Sequence, residues 1–216
     1  MSVERTVHVV ESDPSGRKSV VKLAAKKGLE VQSYTSAEQF LECHNSSVEG
    51  CLVVCAELDG MSGLELQRHL SDAGDSIPVI VVAASGDIPM AVSAMSAGAI
   101  NFLEKPYDES ELWESIEFAI AKDKSHRHFE QERAKIRNRI AQLSDGEKAV
   151  LRCMIAGLLN KQTKDVLDIG LRTVELRRAS IMQKLQASSL ADIVRMAVIA
   201  EVEPHGKVKQ SDSGTT

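Results

Sequence analysis

The chain has 216 residues, 43% of them hydrophobic, enough to bury one large core or two modest ones. Its four cysteines form no CxxC pair, and its longest apolar run, Val79 to Ala84, falls far short of the ~20 residues that cross a bilayer; a reduced, cytoplasmic protein without a membrane role is expected. The net charge of -5 conceals an asymmetry, because residues 1–124 hold 10 Lys and Arg against 20 Asp and Glu while residues 125–216 hold 16 against 11. Only the second half has the balance that attracts a polyanion, although such an excess is also compatible with ordinary surface.

In chain order, the first half alternates short apolar runs with amphipathic stretches. Thr6 to Val10, Val31 to Tyr34, Cys51 to Cys55, Val79 to Ala83 and Ala99 to Leu103 read as strands, with helices near 16–28, 36–43, 62–72, 88–97 and 108–122 between and after them. Five strand-helix units predict an α/β fold, a parallel sheet with helices on both faces and a site at the carboxyl ends of its strands. Glu11, Ser12, Asp13, Cys55, Ala83 and Lys105 fall around that mouth.

Apolar residues thin out between Ile120 and Ile136, which predicts a charged, exposed linker helix over 124–142; His126 and His128 within it are too few to make a metal site. A second domain is expected over 143–203. Ser144 and Glu147 have the spacing of a capping box, and Gly157 ends the helix that follows. Further helices are predicted over Asn160 to Leu167, Leu171 to Leu185 and Ser189 to Ala200, with Gly170 at the turn between the first two. The polar tail, 204–216, is expected to be disordered.

The runs VHVVESD, GMSGLEL and SGDIPMAVSAMSAGAINFLEKPY, together with the segment from Leu143 to Val198, resemble the two-component response regulators that join a receiver domain to a LuxR/FixJ-type helix-turn-helix output domain. The resemblance covers about residues 5–203. It implies a flavodoxin-like receiver sheet, a linker helix and an all-α four-helix DNA-binding domain. It also implies a phospho-accepting aspartate at the end of the third strand, an acidic pair that holds magnesium, a hydroxyl after the fourth strand and a lysine. Counted from Gly60, the aspartate position is Cys55; the acidic pair is Glu11 and Ser12, the hydroxyl position is Ala83, and only Lys105 is as the family has it.

A thiolate is a poor magnesium ligand, and Glu11 disfavours the thiolate, so the pocket is expected to be degenerate, with no catalytic residue, metal or cofactor. It would then serve as a platform for a protein partner or small ligand. Asp13 and Asp59 are the remaining aspartates near it. An alternative makes Cys55 a redox switch favoured by Lys105 and opposed by Glu11.

In the output segment, Val174, Ile181 and Leu185 fall on one helical stripe facing the core. Arg172, Glu175, Leu176, Ala179 and Gln183 fall opposite, where a helix in the major groove meets base edges, and Thr173, Arg177 and Lys184 lie on a flank suited to phosphates. Asn160 and Lys161 complete the expected double-stranded DNA contacts. Thr163 and Lys164 depart from the family pattern, Thr163 being expected to loosen the supporting helix, and Gly170 replaces the usual hydroxyl cap. The last helix has apolar residues beyond one core stripe, Met196, Ile199 and Ala200, and the resemblance implies that it pairs two copies on a two-fold site. An alternative keeps the fold as an interaction module with weak or lost DNA binding.

Overall fold

A computed structural model describes residues 5–206, so most of the tail expected to be disordered lies outside the described residues. It divides into two compact units, the first ending at His128 and the second beginning at Phe129. Each is described by itself.

The first unit is the expected α/β sandwich. Five parallel strands, β1 (Thr6–Val10), β2 (Glu30–Tyr34), β3 (Gly50–Cys55), β4 (Val79–Ala83) and β5 (Asn101–Glu104), lie in the order β2-β1-β3-β4-β5. They alternate with α1 (Pro14–Lys26), α2 (Ala37–Cys43), α3 (Gly63–Asp72) and α4 (Ile88–Ser96), and α5 (Glu109–Ala141) follows β5. The central strands read as unbroken apolar runs because both faces are covered. Val54, Val79 and Val81 pack with Phe40, Leu66 and Leu70 on one side; Val53, Ile80 and Val82 pack with Leu23, Leu112 and Ile116 on the other. β5 starts at Asn101, later than expected, because Ala99 and Ile100 form the turn into it, Ile100 N–H donating to the Val79 carbonyl.

Helix starts follow side-chain chemistry. The Asp13 carboxylate accepts from Gly16 N–H at 2.6 Å and caps α1, which begins at Pro14 rather than residue 16. Ser62 and Glu65 form a capping box on α3. Gly63 has to be glycine here, since a Cβ would stand 2.1 Å from the Cys55 carbonyl oxygen. That close approach seats α3 directly against the end of β3.

The segment expected as a linker helix over 124–142 is the later part of α5. α5 runs unbroken for 33 residues, and its middle is anchored by Asp123, which is completely buried. Asp123 accepts from Gly50 N–H at 2.9 Å and from Arg127 Nε at 2.7 Å, while Arg127 also donates to the Val48 carbonyl. The first unit therefore extends beyond residue 123 to His128, because a buried carboxylate needs its guanidinium. Beyond it, Ile136 is buried and packs with Ile140 and Leu143 against Leu151 and Met154, so the later part of the segment expected as exposed linker belongs to the second core. His126 and His128 are exposed, as expected of a solvated face.

The second unit adds α6 (Asp145–Ile155), α7 (Asn160–Leu167), α8 (Leu171–Leu185) and α9 (Leu190–Ile199). Ser144 caps α6 in a box with Glu147, and Gly157, at φ 79°, lets the chain turn after it. Ile181, Leu185, Ile193 and Met196 close the core over Leu151. No helix among the described residues is long and apolar enough to cross a membrane.

Candidate functional site

The carboxyl ends of β1, β3 and β4 and the loop after β5 bring the expected residues together. Lys105 Nζ lies 2.5 Å from Glu11 Oε2 and 3.8 Å from Cys55 Sγ. Its own N–H donates to the Ala83 carbonyl, which fixes the lysine beside the end of β4. Burial would lower the Lys105 ammonium, but the Glu11 carboxylate holds it above its ordinary range. Burial pushes the Cys55 thiol up to about 11; the Glu11 charge adds to this and Lys105 only partly opposes it. At neutral pH the burial and the Glu11 charge both favour the protonated thiol over the thiolate.

These donors do not fit magnesium. A hard cation asks for several oxygen ligands, and the mouth offers one acidic carboxylate from the expected pair, Glu11, already engaged by an ammonium. Ser12 is partly buried with its carbonyl taken by Arg17, and Asp13 is turned to the start of α1. Among the described residues no three His, Cys, Asp or Glu side chains converge as metal ligands.

Sequence reasoning passed over Glu57. Its carboxylate accepts from Ala84 N–H at 3.1 Å and Ser85 N–H at 3.5 Å, and the Cys55 thiol donates to it at 3.6 Å. Partial burial pushes its pKa up, yet the two amides and the thiol hold it below the usual carboxylate range. Its position two residues past a strand end was the available signal, since such loops line the mouth of a parallel sheet. Asp59 is exposed farther along that loop.

In the second unit, Arg172, Glu175, Leu176, Ala179 and Gln183 are all exposed on α8, opposite the buried Val174, Ile181 and Leu185. Lys161 is exposed and Asn160 half-buried at the start of α7. The flank is less available than the sequence suggests. Arg177 donates to the Gly146 carbonyl at 3.5 Å, and Lys184 Nζ lies 2.8 Å from each Glu147 oxygen. Thr173 stands half-buried in the first turn of α8, where Gly170 supplies no side-chain cap. Thr163 is wholly buried in α7, with a hydroxyl that has no oxygen or nitrogen partner, and Val166 on the same helix is exposed.

The phase of α9 differs from expectation. Ile193, Met196 and Ala197 face the core, while Leu190, Val194 and Val198 face out, Val198 at 71% exposure. The excess apolar surface is there, built from other residues than Met196, Ile199 and Ala200, because Met196 packs with Ile193 and the other two lie half-buried beside them.

Comparisons with known proteins agree with both units. A family model described as response regulator receiver domain matches residues 7–117, and one described as bacterial regulatory proteins, luxR family, matches residues 141–197. The transcriptional regulatory protein FixJ of Azorhizobium caulinodans is 40% identical over 198 residues, covering 92% of this chain and 94% of that protein. The response regulator protein TodT of Pseudomonas putida is 37% identical over 190 residues, covering 88% and 84%. Among solved structures, the response regulator StyR superposes with a TM-score of 0.82 at 39% identity, covering 90% of this chain and 98% of that one. Full-length FixJ from B. japonicum gives 0.55 at 33% identity, covering 93% and 98%. With a receiver sheet, a four-helix output unit and relatives spanning nearly all of it, the chain belongs to the DNA-binding response regulators of the FixJ/LuxR type.

Proposed function

We propose that this chain regulates transcription by binding double-stranded DNA through its output unit, and that its receiver works without accepting a phosphoryl group. The observation that carries the second half is Cys55. At the end of β3, where the family's chemistry places a carboxylate nucleophile, stands a thiol pushed up to about 11. Two further losses support it: Ala83 offers no hydroxyl, and Glu11 stands without a second acidic residue at position 12. Each removes a different part of phosphoryl transfer, the nucleophile, the oxygen contact and the metal. Lys105 alone replaces none of them.

The test is incubation of the full chain with acetyl phosphate and magnesium, followed by intact-mass measurement. Wild type and Cys55→Asp both stay unmodified, since Cys55→Asp restores one of three parts. A phosphoryl adduct on wild type, mapped to Asp13 or Asp59, returns the chain to the conventional phosphorelay. A redox role for Cys55 is the weaker alternative, because a protonated, buried thiol reacts slowly with oxidants.

For DNA, the exposed outer face of α8 supports base contacts by Arg172, Glu175 and Leu176, with Thr173, Arg177, Asn160 and Lys161 at phosphates. The outward stripe of Leu190, Val194 and Val198 supports pairing of two copies through α9. One observation favours a second reading, an interaction module with weak DNA binding: Arg177 and Lys184 are both drawn onto α6. Salt-dependent binding separates the two. Arg172→Ala and Lys161→Ala each weaken binding in the first reading and change nothing in the second.

A further inference from the structure

The three consecutive amides after β4 all point at carboxylates. Ala84 and Ser85 N–H donate to Glu57, and Gly86 N–H donates to Glu104 Oε1 at 3.4 Å. Successive backbone N–H groups turned to one side make a concave anion cradle, and an anion in such a cradle fixes the loop that forms it. In this chain the anions are its own side chains. Glu57 comes from the loop after β3 and Glu104 from the end of β5, so the β4–α4 loop is tied on both flanks to strands packed beside β4.

We propose that Glu57 is a resident anion: it fills the amide cradle at the receiver mouth and holds the β4–α4 loop in one conformation. The inference rests on the phosphorylation-independent reading and supplies its physical basis. It also accounts for the neighbouring thiol. The Cys55 S–H donates to the same carboxylate, which an aspartate in that position, charged and two residues away, would repel. Lys105 and Glu11 neutralise each other nearby, so Glu57 is left to the amides. The conformation it fixes passes directly into α4, which Asp87 caps by accepting from Met90 N–H at 2.8 Å. The outer face of α4 carries the exposed Ile88, Val92 and Met95, whose placement follows from where the loop ends.

Glu57 itself is largely solvent-exposed, so its replacement leaves the core intact. The experiment compares the full chain with Glu57→Ala and Glu57→Gln by hydrogen exchange read peptide by peptide. In Glu57→Ala, exchange over residues 84–90 rises about tenfold, as expected when amides lose a charged acceptor, while the β1 and β3 peptides stay as slow as in wild type. Glu57→Gln, which keeps an acceptor oxygen without the charge, lies between. Unchanged exchange over 84–90 in Glu57→Ala, or exchange that rises equally over the β1 and β3 peptides, overturns the proposal. A wild-type chain that takes up a phosphoryl group from acetyl phosphate instead defeats the underlying reading, a separate result in a separate assay.

Discussion

Lys184 Nζ on α8 donates to both carboxylate oxygens of Glu147 on α6 at 2.8 Å, a contact between residues 37 apart in sequence. Ser180 donates to the same carboxylate at 2.6 Å, and these partners, Lys184 first, hold Glu147 down to about 2. A lysine so placed is a strut of the helix-turn-helix before it is a phosphate ligand. Lys184→Ala is therefore expected to destabilise the output unit by about 1 kcal/mol, a few degrees in Tm, and to change the salt slope of DNA binding by well under one unit. Thermal unfolding and salt titration read the two effects separately. An unchanged Tm with a slope lower by about one would return Lys184 to the DNA backbone.

Val198 is exposed on α9, so a charge there meets water in a single copy and would be buried in the proposed pairing of two copies. Val198→Glu leaves the unfolding free energy of the monomeric unit within about 0.5 kcal/mol of wild type and weakens dimer formation and binding to a two-fold site by tenfold or more. Sedimentation and a two-half-site probe test this. Wild-type affinity on that probe would count against pairing through α9.

Thr163 carries a buried hydroxyl with no oxygen or nitrogen partner, beside the Cys153 thiol, a weak one at most. A buried unpartnered hydroxyl costs about 1 kcal/mol or more, and Thr163→Val removes it at nearly constant volume. The output unit should gain about 1 kcal/mol, read as a higher denaturant midpoint. A loss of stability would mean that a water bridges the hydroxyl.

His8, on β1, is 3% exposed against Tyr34, Phe40 and His44. Burial and, next, the charge of His44 lower its pKa from 6.5 to about 4, with Asp75 opposing. The unfolded chain thus binds a proton in a range where the folded one does not. This contribution to stability is complete above about pH 6.5 and is lost as pH falls toward 4, by up to about 3 kcal/mol. Denaturation of wild type and His8→Gln across that range should show a shallower pH slope in the variant. Equal slopes would remove His8 as the source.

How much of this was written legibly in the sequence depends on range. The five strands could be read because burial on both faces leaves unbroken apolar runs, and Ser144 with Glu147 announced α6 within four residues. Contacts at long separation left no such mark. Nothing near Lys184 names Glu147, and nothing near residue 57 names the amides of Ala84 and Ser85, which arrive only when β3 and β4 pair. The phase of α9 was hidden for another reason. Leu190, Ile193, Val194, Met196, Ala197 and Val198 are apolar around most of the helix, so periodicity could not say which stripe faces in. At the mouth, the strand ends and the family resemblance picked out Glu11, Cys55 and Lys105, but the pairing of Lys105 with Glu11 and the reach of Glu57 arise only in the folded chain.

The Asp123 carboxylate sets where the receiver can be cut. A fragment ending at residue 123 retains the buried charge and the Gly50 amide that donates to it, but discards the guanidinium of Arg127 and its tie to the Val48 carbonyl. Ending at residue 128 keeps all of them, at the cost of five residues that look like spacer and are not. The difference, on the order of 3 kcal/mol for an orphaned interior charge, decides whether an excised receiver is a sound reagent or a half-unfolded one.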